Sequence, residues 1–209
     1  MGCQPLQLAA VLSILGWSRT YTSHDDPAAA VANLIAVVVG ANGPFYPLYI
    51  VHCAGRAVLG ESLLTTLASP FFLMIPLVTR RSSRMGRLAL PMVGTINTIW
   101  CLKLLGPETG VELFLLPCIA LAALLFRPSE RFLLLLAAIL SFAAVFLSEN
   151  VLGRPLISLD APAAAGLAAL NVASVAALVF LMTLKFAGLF QRLDFEGGRE
   201  SRHPKEESP

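Results

Sequence analysis

Charge is what this sequence has least of. Only 13% of its 209 residues are Asp, Glu, Lys or Arg, against 56% hydrophobic; soluble domains carry about 25% charge. Soluble globular, disordered and nucleic-acid-binding readings fall at that step. Histidine is scarce as well. The three, at 24, 52 and 203, are scattered in depth, so the paired intramembrane His of a haem bundle is missing. The four cysteines (Cys3, Cys53, Cys101 and Cys118) show neither a CxxC step nor a metal-ligand spacing. There is no GxSxG, HExxH, P-loop or GxGxxG. Enzyme is therefore the least supported class, and no cofactor is expected.

What the chain does have is long apolar stretches, with a mean hydropathy of +0.75. One membrane-spanning helix takes about 20 residues. Reading hydropathy between charged breaks gives six spans, at 28–53, 60–79, 87–105, 110–126, 131–148 and 161–189. The fold expected is an all-α membrane protein, a six-transmembrane-helix bundle. Asn42-Gly43-Pro44 should kink the first span or end its regular part near Gly40. Gly106-Pro107 closes the third, and Pro128-Ser129 separates the fourth from the fifth.

The basic residues set the direction. Arg19, Arg80, Arg81, Arg84, Arg87, Arg127, Arg131, Lys185, Arg192, Arg199, Arg202 and Lys205 fall on one side, and Arg56, Lys103 and Arg154 on the other. Twelve against three is a positive-inside signal that places both termini in the cytoplasm. The location expected is a bacterial inner (cytoplasmic) membrane, multi-pass, with the lipid bilayer as first partner. Residues 1–27 read as an interfacial segment, with Leu6–Trp17 lying at headgroup level. A cleaved signal peptide fits less well, because a basic n-region is missing and cleavage would invert the charge bias. Gly2-Cys3 carries little weight as a lipidation site, since position 6 is neither Ser nor Thr. Residues 28–190 form the bundle, and 191–209 read as a disordered cytoplasmic tail.

Ionisable groups cost about 2.5–3.5 kcal/mol at mid-depth. Here His52, Arg56, Glu61, Lys103, Glu112, Glu149, Arg154 and Asp160 all fall near the outer face, leaving Asn97, Thr98 and Asn171 inside the helices. That pattern differs from a proton pump, which places carboxylates near the midplane. Asn97, Trp100, Lys103 and Glu112 suggest an outward pocket with Trp100 as apolar wall, Lys103 and Glu112 pairing across the Gly106-Pro107 turn. The same residues also fit a hairpin staple with both charges reaching for the interface. His52 is a boundary residue or a pH-sensitive ligand. Asn171 bonds a neighbouring helix or faces a cavity. Tyr46 and Tyr49 read as interface-belt residues. A Cys101–Cys118 disulfide is not expected, because the two sit at different depths. Gly94, Ala122, Ala123, Ala137, Ala138 and the alanines of 161–169 should lie between helices. A Leu-Gly step recurs at each outer turn: LGES at 59–62, LGPE at 105–108 and LGRP at 152–155.

GTINTIW (94–100), LLGPETGVELFLLPC (104–118), LLFRPSER (124–131) and LNVASVAALVF (170–180) give the segment 86–190 a likeness to a known group. It resembles the six-helix N-terminal membrane modules of bacterial class III adenylate cyclases and sensor histidine kinases. The resemblance implies a receptor-like bundle whose sixth helix drives a dimeric output domain. It implies outer-pocket roles for Asn97, Gly106, Gly110 and Glu112, and a homodimer through the sixth span. Here that span leads into the polar tail rather than a cyclase or kinase, so either a partner chain supplies the output or a once-fused sensor module serves another role. The function expected is a non-enzymatic sensor that binds a small or lipophilic ligand near the outer face. The alternative is an accessory subunit of a larger membrane complex. A small transporter or channel is less well supported, because the helix interiors lack a densely polar lining.

Overall fold

The computed structural model describes residues 19–150 and 153–200, all of them in helices or the turns between, with no strand among the described residues. The helices are α1 (Pro27–Asn42), α2 (Tyr46–Ala54), α3 (Ser69–Arg81), α4 (Ser83–Leu105), α5 (Leu115–Leu125), α6 (Arg131–Asn150) and α7 (Ala161–Glu200). Five helical stretches are long and apolar enough to cross a membrane: Pro27–Ala54, Arg56–Arg81, Ser83–Leu105, Pro128–Phe146 and Ala161–Gln191. A sixth, Val111–Leu125, is apolar but shorter. The architecture is that of an all-α, multi-pass membrane protein.

Local chemistry sets the boundaries. Asp26 caps α1, its carboxylate accepting from the amides of Ala28 (3.0 Å) and Ala29 (3.5 Å), with Pro27 in the first turn. At Asn42-Gly43-Pro44 the first span passes into a 3-10 turn, Gly43–Phe45, and resumes as α2. The missing side chain matters here, since a Cβ on Gly43 would lie 2.0 Å from Ser69 Oγ. The second span enters irregularly too, through a 3-10 stretch, Leu63–Ala68, ahead of α3. Ser82 caps α4, and Gly106 ends it at φ 84°, a left-handed backbone that suits glycine.

The unpaired carbonyls at that helix end are then met from the 153–160 connection. Leu156 N donates to Lys103 O at 3.1 Å and Ile157 N to Leu104 O at 2.8 Å. Two of the three Leu-Gly turns thus meet, with Gly106 against Pro155.

The core forms two clusters. One, around Ile35, Phe72, Leu90, Leu121, Leu125 and Phe186, lies toward the end where Arg84, Arg87 and Arg127 gather, called the basic end below. The other, around Ile50, Leu102, Leu104, Val111, Ile157 and Leu167, lies at the turn end. Small residues let helices close. Ala122 and Ala137 are wholly buried, and a Cβ on Gly94 would lie 2.7 Å from Cys118 Sγ. Ala123, by contrast, is exposed. Cys53, Cys101 and Cys118 are free thiols. The boundary expected at 190 is not an element boundary, because α7 runs unbroken to Glu200. The N-terminal segment with Leu6–Trp17 and the remaining tail, 201–209, lie outside the described residues.

Candidate functional site

Between the two core clusters lies a cavity of about 670 Å³ bordered by α1, α3, α4, α5 and α7. Its walls are chiefly apolar, but Asn42, Ser69, Asn97 and Ser174 also line it, each from a different span. They share a depth. Each falls within three residues of the centre of its span (Pro27–Ala54, Arg56–Arg81, Ser83–Leu105 and Ala161–Gln191). At 1.5 Å per residue that is about 5 Å or less from the middle.

Other hydroxyls in the walls are satisfied internally. Thr98 donates to Gly94 O at 2.9 Å and Thr65 to Ser62 O at 2.7 Å. Among the described residues, the side chains of Asn42, Ser69 and Ser174 make no hydrogen bond, and Asn97 only accepts a weak one from the Cys101 thiol, at 3.7 Å. In hydrocarbon, an unmet amide N–H or hydroxyl costs several kcal/mol. Among the described residues these four side chains thus leave hydrogen-bonding capacity unused at mid-depth in the cavity wall.

Of the residues expected to form an outer pocket, only Asn97 lines this cavity. Lys103 does not pair with Glu112 among the described residues. Its amine donates to Arg154 O at 2.9 Å and so fastens the connection before α7. Glu112, in the 3-10 turn Val111–Phe114, keeps a buried Oε2 with no hydrogen-bond partner. Trp100 is half-buried and donates from Nε1 to Leu64 O at 2.9 Å, tying α4 to the irregular start of the second span. His52 lies exposed on α2.

Asn171 is fully buried and does a joining job. Its Nδ2 donates to Thr109 O at 2.8 Å while its Oδ1 accepts from the Tyr46 hydroxyl at 3.0 Å. Tyr46 is thus a partner inside the bundle rather than a belt residue. Tyr49 is 44% exposed.

The basic end holds a second constellation. Arg87 is 3% exposed, and its guanidinium makes paired bonds to Glu130, a third to Leu125 O at 2.6 Å, and stacks 5.8 Å from the Phe126 ring centre. Asp26 lies 3.4 Å from Arg87 Nε and accepts a short bond from the Ser83 hydroxyl, while Arg84 reaches Glu130 at 3.1 Å. Partial burial works against ionisation of Asp26. The Ser83 hydroxyl, the Arg87 charge and the Ala28 and Ala29 amides outweigh it, holding the carboxyl below its ordinary range. Nearby, the Thr79 hydroxyl donates to Asn33 Oδ1 at 2.7 Å, and Asn33 donates to Thr22 O at 3.3 Å.

In the sequence Arg84 and Arg87 read as orientation signals, without their acidic partners. The available clue was two carboxylates, Asp26 and Glu130, on the same side as the arginines. Asn42 signals only a kink in the sequence. No protein-family model matches the chain, and no curated protein or solved structure matches it.

Proposed function

We propose that this chain is a non-enzymatic, receptor-like protein of a bacterial cytoplasmic membrane, which binds a small or lipophilic ligand in the mid-bundle cavity and passes the change along α7 to a partner. The observation that carries the reading is the ring of Asn42, Ser69, Asn97 and Ser174, unmet by the chain at mid-depth in an otherwise apolar cavity. A few convergent polar groups in an apolar wall are what a ligand pocket needs. Amides and hydroxyls suit recognition better than proton or group transfer. The site so proposed lies deeper than the outer cluster.

The topology proposed is six spans with both termini cytoplasmic. Its support is the gathering of arginines at one end of the bundle. Val111–Leu125 serves as the fourth span at roughly 25 Å, short of a hydrocarbon core of about 30 Å, which local thinning accommodates.

Transmission is suggested by α7. Its Ser174, Ala177, Leu178 and Leu181 form one cavity wall, and the same 40-residue helix continues past the basic end. At about 60 Å it is twice the thickness of the hydrocarbon. The resemblance of 86–190 to cyclase and kinase membrane modules supports the same role, with a homodimer or a separate signalling protein as receiver.

The test is gentle purification from native membranes, with mass spectrometry of co-eluting small molecules and proteins. A stoichiometric small molecule that is lost in Asn97→Leu supports the reading. Fixed-stoichiometry membrane subunits, with no small molecule, replace it with the accessory-subunit role.

A further inference from the structure

The cavity's shape and lining say more about what fills it. Among the described residues, no Asp, Glu, Lys, Arg or His side chain borders the space. A charged ligand there would lack a counter-ion, and burying an unpaired charge costs several kcal/mol or more. The occupant is therefore uncharged. The polar ring supplies amide and hydroxyl groups at one level, able both to donate and to accept. Toward the basic end the walls turn wholly apolar, through Ile35, Val39, Phe72, Leu90, Leu121 and Leu181. One end of the occupant thus forms hydrogen bonds, and its body is hydrocarbon.

The entrance can be located as well. Val38, Ala41, Asn42 and Phe45 line the cavity and are also exposed on the outside of the first span, Val38 by 43% and Phe45 by 55%. Their spacing of three and four residues puts them along one edge. On α7, Ala177 is likewise both lining and exposed. Surface at this depth faces acyl chains rather than water, so the mouth opens sideways, between the first span and α7.

We infer that the cavity is loaded from within the bilayer, between the first span and α7, by an uncharged single-chain amphiphile whose hydrogen-bonding group sits at mid-depth against Asn42 and Asn97. This rests on the ligand-binding reading above and adds the chemistry and the route. The volume of about 670 Å³ falls within the 300–1,000 Å³ usual for pockets that enclose one small ligand.

The test uses the full chain in nanodiscs and a long-chain alcohol carrying a mid-chain diazirine, alongside the carboxylate and trimethylammonium of the same chain. The alcohol should photolabel saturably, with adducts mapping to 35–45 and 174–181. The charged analogues should label about tenfold less. Asn97→Leu and Asn42→Leu should each lower saturable labelling about tenfold, the worth of one well-made hydrogen bond. Ala177→Phe, which narrows the mouth, should slow labelling. Should an Asn variant not fold, competition on the unaltered protein decides instead: unlabelled alcohol must displace the probe and the acid must not.

Equal labelling by the charged analogues, or adducts spread evenly over lipid-facing surfaces, overturns the inference. Parallel extraction of co-purified molecules separates the two failures. A co-purifying molecule lost in Asn97→Leu, with no specific alcohol labelling, leaves ligand binding standing and sinks the neutral-amphiphile route. Neither signal sinks both.

Discussion

Arg87 and Glu130 face one another through two parallel hydrogen bonds, Nη1 to Oε2 at 2.9 Å and Nη2 to Oε1 at 2.8 Å, joining α4 to the turn that opens α6. Two-pronged guanidinium–carboxylate contact is the strongest ion-pair geometry available to side chains. With Arg87 side-chain exposure at 3%, loss of Glu130 removes the two-pronged partner and leaves the buried guanidinium only the longer ionic contact to Asp26, at 3.4 Å. Glu130→Ala should therefore cost about 3–5 kcal/mol. The thermal midpoint in detergent reads the loss. Pairing Arg87→Met with Glu130→Leu should recover much of it, and a double variant as unstable as the single would show that the charges are needed for more than mutual compensation.

A pH dependence follows from Asp26. Its folded pKa lies below the unfolded reference of 3.8, so its ionisation stabilises the fold fully above that value. The contribution fades as pH drops through the folded pKa. Asp26→Asn keeps a capping side chain but removes the charge. Its midpoint deficit should stay constant from about pH 7 to about pH 5 and shrink below about pH 4. A deficit that widens on acidification would contradict the assignment.

Gly86 is held by contact rather than by backbone shape. A Cβ there would fall 2.0 Å from Thr79 Oγ1 and 2.7 Å from the Thr79 Cα. Because the second atom is backbone, α3 and α4 must part to admit it. Gly86→Ala should destabilise by about 1–3 kcal/mol. Gly188→Ala, with nothing within 4 Å, should be neutral or slightly stabilising. Unequal melting of these two variants is the readout.

At the turn end, Tyr46→Phe removes one hydrogen bond and should cost about 0.6–1 kcal/mol. Asn171→Leu leaves both the Tyr46 hydroxyl and the Thr109 carbonyl unmet, at about 1–3 kcal/mol for each. If the two variants melt alike, Asn171 is not the joint that the geometry makes it.

The long apolar helices were legible in the sequence because a hydrocarbon core rewards a simple signal, apolar length between charges. The break at Asn42-Gly43-Pro44 and the turn at Gly106-Pro107 were legible because glycine and proline act through their own backbones. Pairings across space were harder to see. Lys103 and Glu112 flank one turn, yet Lys103 reaches the Arg154 carbonyl, because the 153–160 connection folds back over the end of α4. Arg87 looked like one more cytoplasmic arginine, since its burial depends on Phe126, Leu125 and Glu130, about 40 residues further along. Asn97 stands out in the sequence as a neutral polar residue inside a span and a pocket candidate, and it does line the cavity. Its companions Asn42, Ser69 and Ser174 come from three other spans, and which faces they present depends on helix rotation that hydropathy does not record.

The bundle is fastened at both ends and hollow at its waist. Ion pairs bind the basic end and hydrogen bonds to backbone carbonyls the turn end, with the cavity between two separately packed cores. The 3-10 stretches Gly43–Phe45 and Leu63–Ala68 put breaks in the α-helical ladder of two spans at or near that waist. A sheaf bound at both ends keeps its hollow where the bindings are not, so substitutions in the cavity wall leave both bindings in place.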